Sequence, residues 1–108
     1  MINKKMKKDK NLQIFLNEIK NNLNSQPRKI ILFGSRARNE HTDESDYDMI
    51  FIFNEVKQEI KKKLNKVCVR LLIDYGMVIS SFLFTEKDLK RKKYEPFIMN
   101  ALKEGIVL

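Results

Sequence analysis

Apolar positions along the chain switch between helical and extended spacing, and the switches divide it into elements. Between residues 9 and 24, Leu12, Phe15, Leu16, Ile19 and Leu23 recur at three- and four-residue intervals, which predicts one amphipathic helix closed by Pro27. Residues 28–33 are β-branched and apolar, the pattern of a short buried strand ending at Gly34. A helical turn over residues 35–39 and a polar loop over 40–45 lead to a second strand, residues 46–53. Beyond its two aspartates that strand is apolar at both parities, Ile50 and Ile52 on one face and Met49, Phe51 and Phe53 on the other, so both faces are expected to be buried. The longest helix should cover about residues 55–75, with Val56, Ile60, Leu64, Val67, Leu71 and Leu72 as its stripe and Gly76 as a left-handed cap. Residues 77–84 read as a third strand. Thr85, with Asp88 three residues on, has the form of a capping pair for a helix beginning near Glu86. A last helix near residues 96–104 ends at Gly105, and Ile106, Val107 and Leu108 trail back toward the core. The order αβ(α)βαβαα predicts an α/β (α+β) fold, a small mixed β-sheet of about three strands flanked by helices.

Composition narrows the picture. At 108 residues and 43% apolar, the chain has the size and core content of one domain, residues 1–108, with residues 1–8 expected as a frayed basic tail. A single cysteine excludes an intrachain disulfide and fits a reducing compartment. No secretory apolar region follows the lysine-rich start, and no apolar run approaches the ~20 residues of a membrane span, so a cytoplasmic protein away from membranes is expected. The formal net charge of +8 favours an anionic partner. That charge is concentrated in Lys4, Lys5, Lys7, Lys8 and Lys10, in Lys61, Lys62 and Lys63, and in Lys90, Arg91, Lys92 and Lys93. Such runs serve as solvated helix faces as readily as contact surfaces. Direct nucleic-acid binding has weak support, because no aromatic residues alternate with the charges to stack bases.

The chemistry concentrates in Gly34-Ser35-Arg36-Ala37-Arg38 and, after ten residues separating it from Ser35, Asp46-Tyr47-Asp48. Glycine lets the backbone turn sharply and approach a ligand. Ser35 can offer its hydroxyl and N–H to a phosphate oxygen, and Arg36 and Arg38 add permanent positive charge whose planar fork suits phosphate. Asp46 and Asp48, at i and i+2 of one strand, point the same way. Two neighbouring carboxylates repel unless a cation sits between them, and oxygen ligands with substrate phosphates suit Mg²⁺. Gly-Ser and Asp-x-Asp are each common alone; together on consecutive strands they indicate nucleoside triphosphate chemistry.

The stretch from Ile30 to Phe53 resembles the signature of the DNA polymerase beta-like nucleotidyltransferase superfamily. The small size, the Ser-Arg-Ala-Arg continuation and the Ser-Asp-x-Asp form are similar to the minimal nucleotidyltransferases (the MNT family), as is the closing segment from Pro96 to Leu108. The signature covers about a fifth of the chain. The resemblance implies a nucleotidyltransferase fold and Mg²⁺-dependent transfer of AMP from ATP to a tyrosine of a partner protein, a HEPN-domain toxin for which the chain would be the antitoxin. It further implies catalytic and metal-binding roles for Asp46 and Asp48 and phosphate-binding roles for Gly34, Ser35, Arg36 and Arg38. One departure stands out. Active members usually carry a third carboxylate on the strand beside Asp-x-Asp, where it often helps deprotonate the attacking hydroxyl. Residues 77–84 contain no acid, and Asp74, Glu86 and Asp88 lie outside that strand.

Three functions follow. The chain is an adenylyltransferase acting on a partner protein, or an antitoxin that neutralises its partner by binding with a weak or inactive site, or an enzyme transferring nucleotide to a small molecule or RNA. The third suffers from the lack of room for an acceptor-binding domain. Among other residues, His41 reads as a solvated loop histidine and Cys68 as a buried structural thiol without a histidine to activate it. Tyr47 is expected to pack on the face opposite the aspartates. Tyr75 and Tyr94 read as core or interface residues, and Phe97, Ile98 and Met99 as interface or core.

Overall fold

The computed structural model describes residues 9–24, 26–40, 42 and 45–108; His41 and the basic tail lie outside these. Helix α1 (Lys10–Leu23) starts where the Asp9 carboxylate accepts the Leu12 N–H at 3.0 Å, and it buries Leu12, Phe15, Ile19 and Leu23. Strand β1 (Lys29–Phe33) leads to β2 (Tyr47–Phe53), followed by helix α2 (Gln58–Tyr75) and strand β3 (Ile79–Thr85). Helices α3 (Glu86–Lys92) and α4 (Pro96–Glu104) precede a two-residue strand, β4 (Ile106–Val107).

The sheet therefore has four strands rather than the expected three, in the order β3-β2-β1-β4. β2 runs antiparallel to β1 and parallel to β3, and β4 runs antiparallel to β1, with Ile106 opposite Leu32 and Val107 opposite Ile31. Ile106 and Val107 do more than trail toward the core. They close one edge of the sheet, and this brings the end of α4 beside the end of β1.

Side-chain parity sorts the two faces. Tyr47, Met49, Phe51 and Phe53 of β2 pack with Ile30 and Leu32 of β1 against α1 and α2, and Phe15 meets Phe51 edge-on at 6.0 Å. Ile50 and Ile52 pack with Ile31 and Phe33 against Leu89 of α3 and Ile98 and Ala101 of α4. The expected two-sided burial of residues 46–53 holds from Met49 onward; Asp46, just ahead of the strand, is exposed, and Asp48 is half-buried.

The α2 stripe is narrower than expected. Ile60, Leu64, Val67 and Leu71 are buried while Leu72, a further ~100° round the helix from Leu71, is 49% exposed. Tyr75 and Tyr94 are 50% and 78% exposed, so neither is a core residue. Of the C-terminal trio only Ile98 is buried.

The capping pair at α3 forms in full: Thr85 Oγ1 accepts the Asp88 N–H at 3.1 Å, and the Asp88 carboxylate accepts the Thr85 N–H at 3.4 Å. Those bonds hold the Asp88 carboxyl below its ordinary value. Thr85→Ala leaves the Asp88 N–H without its cap, so urea denaturation should show a loss of about 1 kcal/mol.

Candidate functional site

The site forms where β1 ends and β2 begins, since antiparallel pairing places Phe33 opposite Asp48. Gly34 follows with φ +77°, and a Cβ at that position would overlap Asp48 Oδ2. Glycine is thus required twice, for a left-handed turn and for a carboxylate packed against the backbone. The chain then folds back on itself: the N–H groups of Ala37 and Arg38 both donate to Gly34 O at 3.1 Å, and Glu40 N–H donates to Ser35 O at 2.9 Å. This is the expected turn over residues 35–39. The hydroxyl and N–H of Ser35 make no hydrogen bond among the described residues, so the turn presents donors to an incoming anion.

Asp46 and Asp48 share the α3/α4 side of the sheet with Ile50 and Ile52. Burial and then the neighbouring Asp46 charge push the Asp48 carboxyl above its ordinary value, against the pull of Arg38. A pair of carboxylates whose charges oppose each other suits a hard divalent cation, which would relieve the repulsion. No group of three cation-binding side chains is assembled among the described residues.

β3 shows why no third acid is supplied. The residue in register with Asp48 is Ser80, whose hydroxyl donates to Asp46 Oδ2 at 3.4 Å. Glu86 and Asp88 follow the far end of β3, because parallel pairing sets Phe53 beside Thr85 and the aspartates at the opposite end. Asp74 is exposed near the end of α2.

The two arginines of the motif part company. Arg38 stays at the site, 43% exposed, with Nε on Glu40 at 3.0 Å and NH1 on Glu104 at 2.9 Å. Arg36 turns to the α1 side, where its guanidinium lies 3.8 Å over the Tyr47 ring and 3.6 Å from Asp9. Its Nε donates to Ser45 O at 3.0 Å and its NH2 to Thr42 O at 3.3 Å, and its side chain is only 9% exposed. Tyr47 packs as expected and donates its hydroxyl to Asp9 at 2.7 Å. Arg36 therefore fastens the loop between the two halves of the motif and does not join Ser35 and Arg38 on the carboxylate side.

One residue at the site escaped the sequence reading. Glu104, the last residue of α4, accepts the Gly34 N–H at 3.0 Å as well as the Arg38 bond. Both contacts hold its carboxyl below the ordinary value, Arg38 foremost. A usable signal was present: an acid in the last turn of a helix opposes the helix dipole and calls for a compensating partner.

A model of the family described as "Polymerase beta, Nucleotidyltransferase" matches residues 17–108, which includes every residue just described except Asp9. The chain belongs to this nucleotidyltransferase family. It is 38% identical over 103 residues to a Methanocaldococcus jannaschii protein named "putative protein adenylyltransferase", covering 95% of this chain and 99% of that one. A second protein of that name and organism is 33% identical over 94 residues, covering 84% of this chain and 64% of the relative. The general activity, nucleotidyl transfer, and the minimal size class both agree with the fold and with the Gly34–Asp48 junction.

Two features lie apart from the site. Among the described residues no helix is long and apolar enough to cross a membrane. A groove of ≈ 510 Å³ lined by Leu64, Cys68, Ile79, Ser81 and Leu83 opens on the α2 side of β3, across the sheet from Asp48. Burial there pushes the Cys68 thiol up to about 11 from 9.0. Its thiolate fraction near neutral pH is then ~100-fold below that of an unperturbed thiol. The more basic thiolate is also the better nucleophile, so disulfide-exchange labelling at pH 8 should be slower in the folded protein by ~10-fold, and denaturant should restore it.

Proposed function

We propose that the protein is a Mg²⁺-dependent adenylyltransferase that moves AMP from ATP onto a hydroxyl side chain of a partner protein, a HEPN-domain toxin whose antitoxin it is. The observation that carries this reading is the packing of Asp48 against the Gly34 backbone, which sets the phosphate-binding turn directly beside the carboxylate pair. The names of the two relatives support a protein as acceptor. Asp46 and Asp48 would hold Mg²⁺, which supplies charge neutralisation at the triphosphate and a lower pKa for the attacking hydroxyl. Ser35 would donate its N–H and hydroxyl to phosphate oxygens, and Arg38 would offset the charge of the leaving pyrophosphate. The acceptor oxygen forms a bond to the α-phosphorus, the α–β bridging bond breaks, and its electrons leave with pyrophosphate. Ser80 stands where a carboxylate base would otherwise face Asp48, so the hydroxyl proton passes to solvent.

That same serine favours a second reading, an antitoxin that neutralises its partner by contact, with weak transfer activity. Co-expression with the product of the neighbouring gene and mass spectrometry of that product separates the two. Added AMP that vanishes with Asp46→Asn establishes the enzyme. A complex without added mass favours the contact antitoxin, and transfer only to RNA or a small molecule removes both. The exposed runs at Lys61, Lys62 and Lys63 and at Lys90, Arg91 and Lys93 would steer encounter with an acidic partner, so association should slow as salt rises.

A further inference from the structure

Resting on the nucleotide-binding reading, we propose that Glu104 is a positioning residue of that site, tying the Gly34 turn to the end of α4 and holding Arg38 ready for phosphate.

The fold delivers this carboxylate rigidly. Gly105, the next residue, packs so closely that a Cβ there would overlap the Ile31 side chain and the Ala101 carbonyl. Beyond it, β4 pairs with β1, and the Leu108 N–H donates to Ile30 O at 2.9 Å. The main chain on the C-terminal side of Glu104 is thus clamped to β1, whose end is the Gly34 turn. From there the carboxylate divides its two oxygens: Oε1 takes the Gly34 N–H at 3.0 Å, and Oε2 takes Arg38 NH1 at 2.9 Å. Gly34 and Arg38 are the two ends of the turn, already joined by the Arg38 N–H to Gly34 O bond of 3.1 Å. Glu104 adds a second connection between the same ends, made through side chains.

Arg38 explains what the connection achieves. A long, partly exposed arginine loses substantial rotamer freedom when it binds an anion, and fixing it beforehand removes that cost from the binding step. Glu104 and Glu40 use NH1 and Nε, and the guanidinium has further N–H donors for an incoming phosphate. The helix-end position of Glu104, unfavourable against the dipole, is offset by these two contacts.

Isothermal titration of MgATP tests this, with wild type, Glu104→Gln, Arg38→Ala, the double variant and Asp48→Asn. Glutamine keeps an acceptor for the Gly34 N–H but turns an amide toward Arg38. Glu104→Gln should therefore weaken MgATP binding ~10-fold, and in turnover it should raise KM with kcat little changed. Because the effect runs through Arg38, adding Glu104→Gln to Arg38→Ala should cost under ~2-fold more. If Glu104→Gln does not fold, Glu104→Asp, which keeps the charge but withdraws the carboxylate by one methylene, carries the same expectation. Unchanged affinity, additive effects with Arg38→Ala, or a lower melting temperature with unaltered binding would overturn the proposal. Tighter binding would overturn it too, by making Glu104 a competitor of phosphate. Loss of binding in Asp48→Asn alone, with Glu104→Gln like wild type, removes only this inference. Wild-type protein that binds no MgATP removes the nucleotide reading and this inference with it.

Discussion

Asp48→Asn is expected to lose nucleotidyl transfer by about 10³-fold or more while raising the melting temperature of the metal-free protein. On the proposed Mg²⁺ role, the first effect follows from the loss of one of two anionic ligands. Metal-assisted stabilisation of the transition state amounts to several kcal/mol, and each ~1.4 kcal/mol is tenfold in rate. The second follows from the direction of the Asp48 shift. Burial and Asp46 raise its carboxyl in the folded state, so the folded protein holds that proton more tightly than the unfolded chain does. This contribution to stability is complete below the ordinary value of 3.8 and is lost as pH rises through the raised folded value. At neutral pH the ionised group is therefore a net liability that asparagine, neutral and of the same shape, removes. Thermal melts in chelator at pH 7 should show the variant above wild type. At a pH below 3.8 the gap should close. With excess Mg²⁺ the order should reverse, because only the wild type keeps both anionic ligands. A variant that melts below wild type in chelator would show that Asp48 is not opposed by its surroundings, and retained activity would remove the metal assignment.

The opposition between the proposed metal role and stability at Asp48 arises from contacts between distant segments, which bear on what the sequence could reveal. Among the described residues, periodicity located each helix to within a few residues, the start of α3 and both ends of α4 included, because amphipathic spacing, the Thr85–Asp88 pair, Pro96 and Gly105 are local signals. The Gly34–Asp48 junction was legible because a turn that ends one strand and a carboxylate pair that opens the next leave few other arrangements. What the sequence could not reveal depends on contacts between distant segments. Arg36 and Arg38 are the same residue type two positions apart, and only the path of the turn sends one beneath Tyr47 and the other to Glu104. The role of Glu104 depends on β4, a strand of two residues too short to announce itself by alternation. Ser80 could be recognised as the residue facing Asp48 only once the parallel register of β2 and β3 was known.

Gly34→Ala should unfold at lower denaturant than wild type and lose transfer activity to background, for two separable reasons. A non-glycine residue at φ +77° costs ~1–2 kcal/mol in backbone strain. Its methyl would also overlap Asp48 Oδ2 and lie 3.2 Å from Asp48 Cγ, so either the carboxylate or the turn must move. Either displacement separates the Ser35 donors, proposed to hold phosphate, from the carboxylate pair, and misplacement on the ångström scale is enough to lower rates ~100-fold. The two causes can be divided by repeating the substitution in an Asp48→Ala background, where the overlapping carboxyl is gone. There, urea denaturation should report only the ~1–2 kcal/mol of backbone strain, against a larger loss in the presence of Asp48. Equal losses in both backgrounds would mean that Asp48 does not press on the Gly34 turn. The two halves of the motif would then be neighbours in sequence order without being one site.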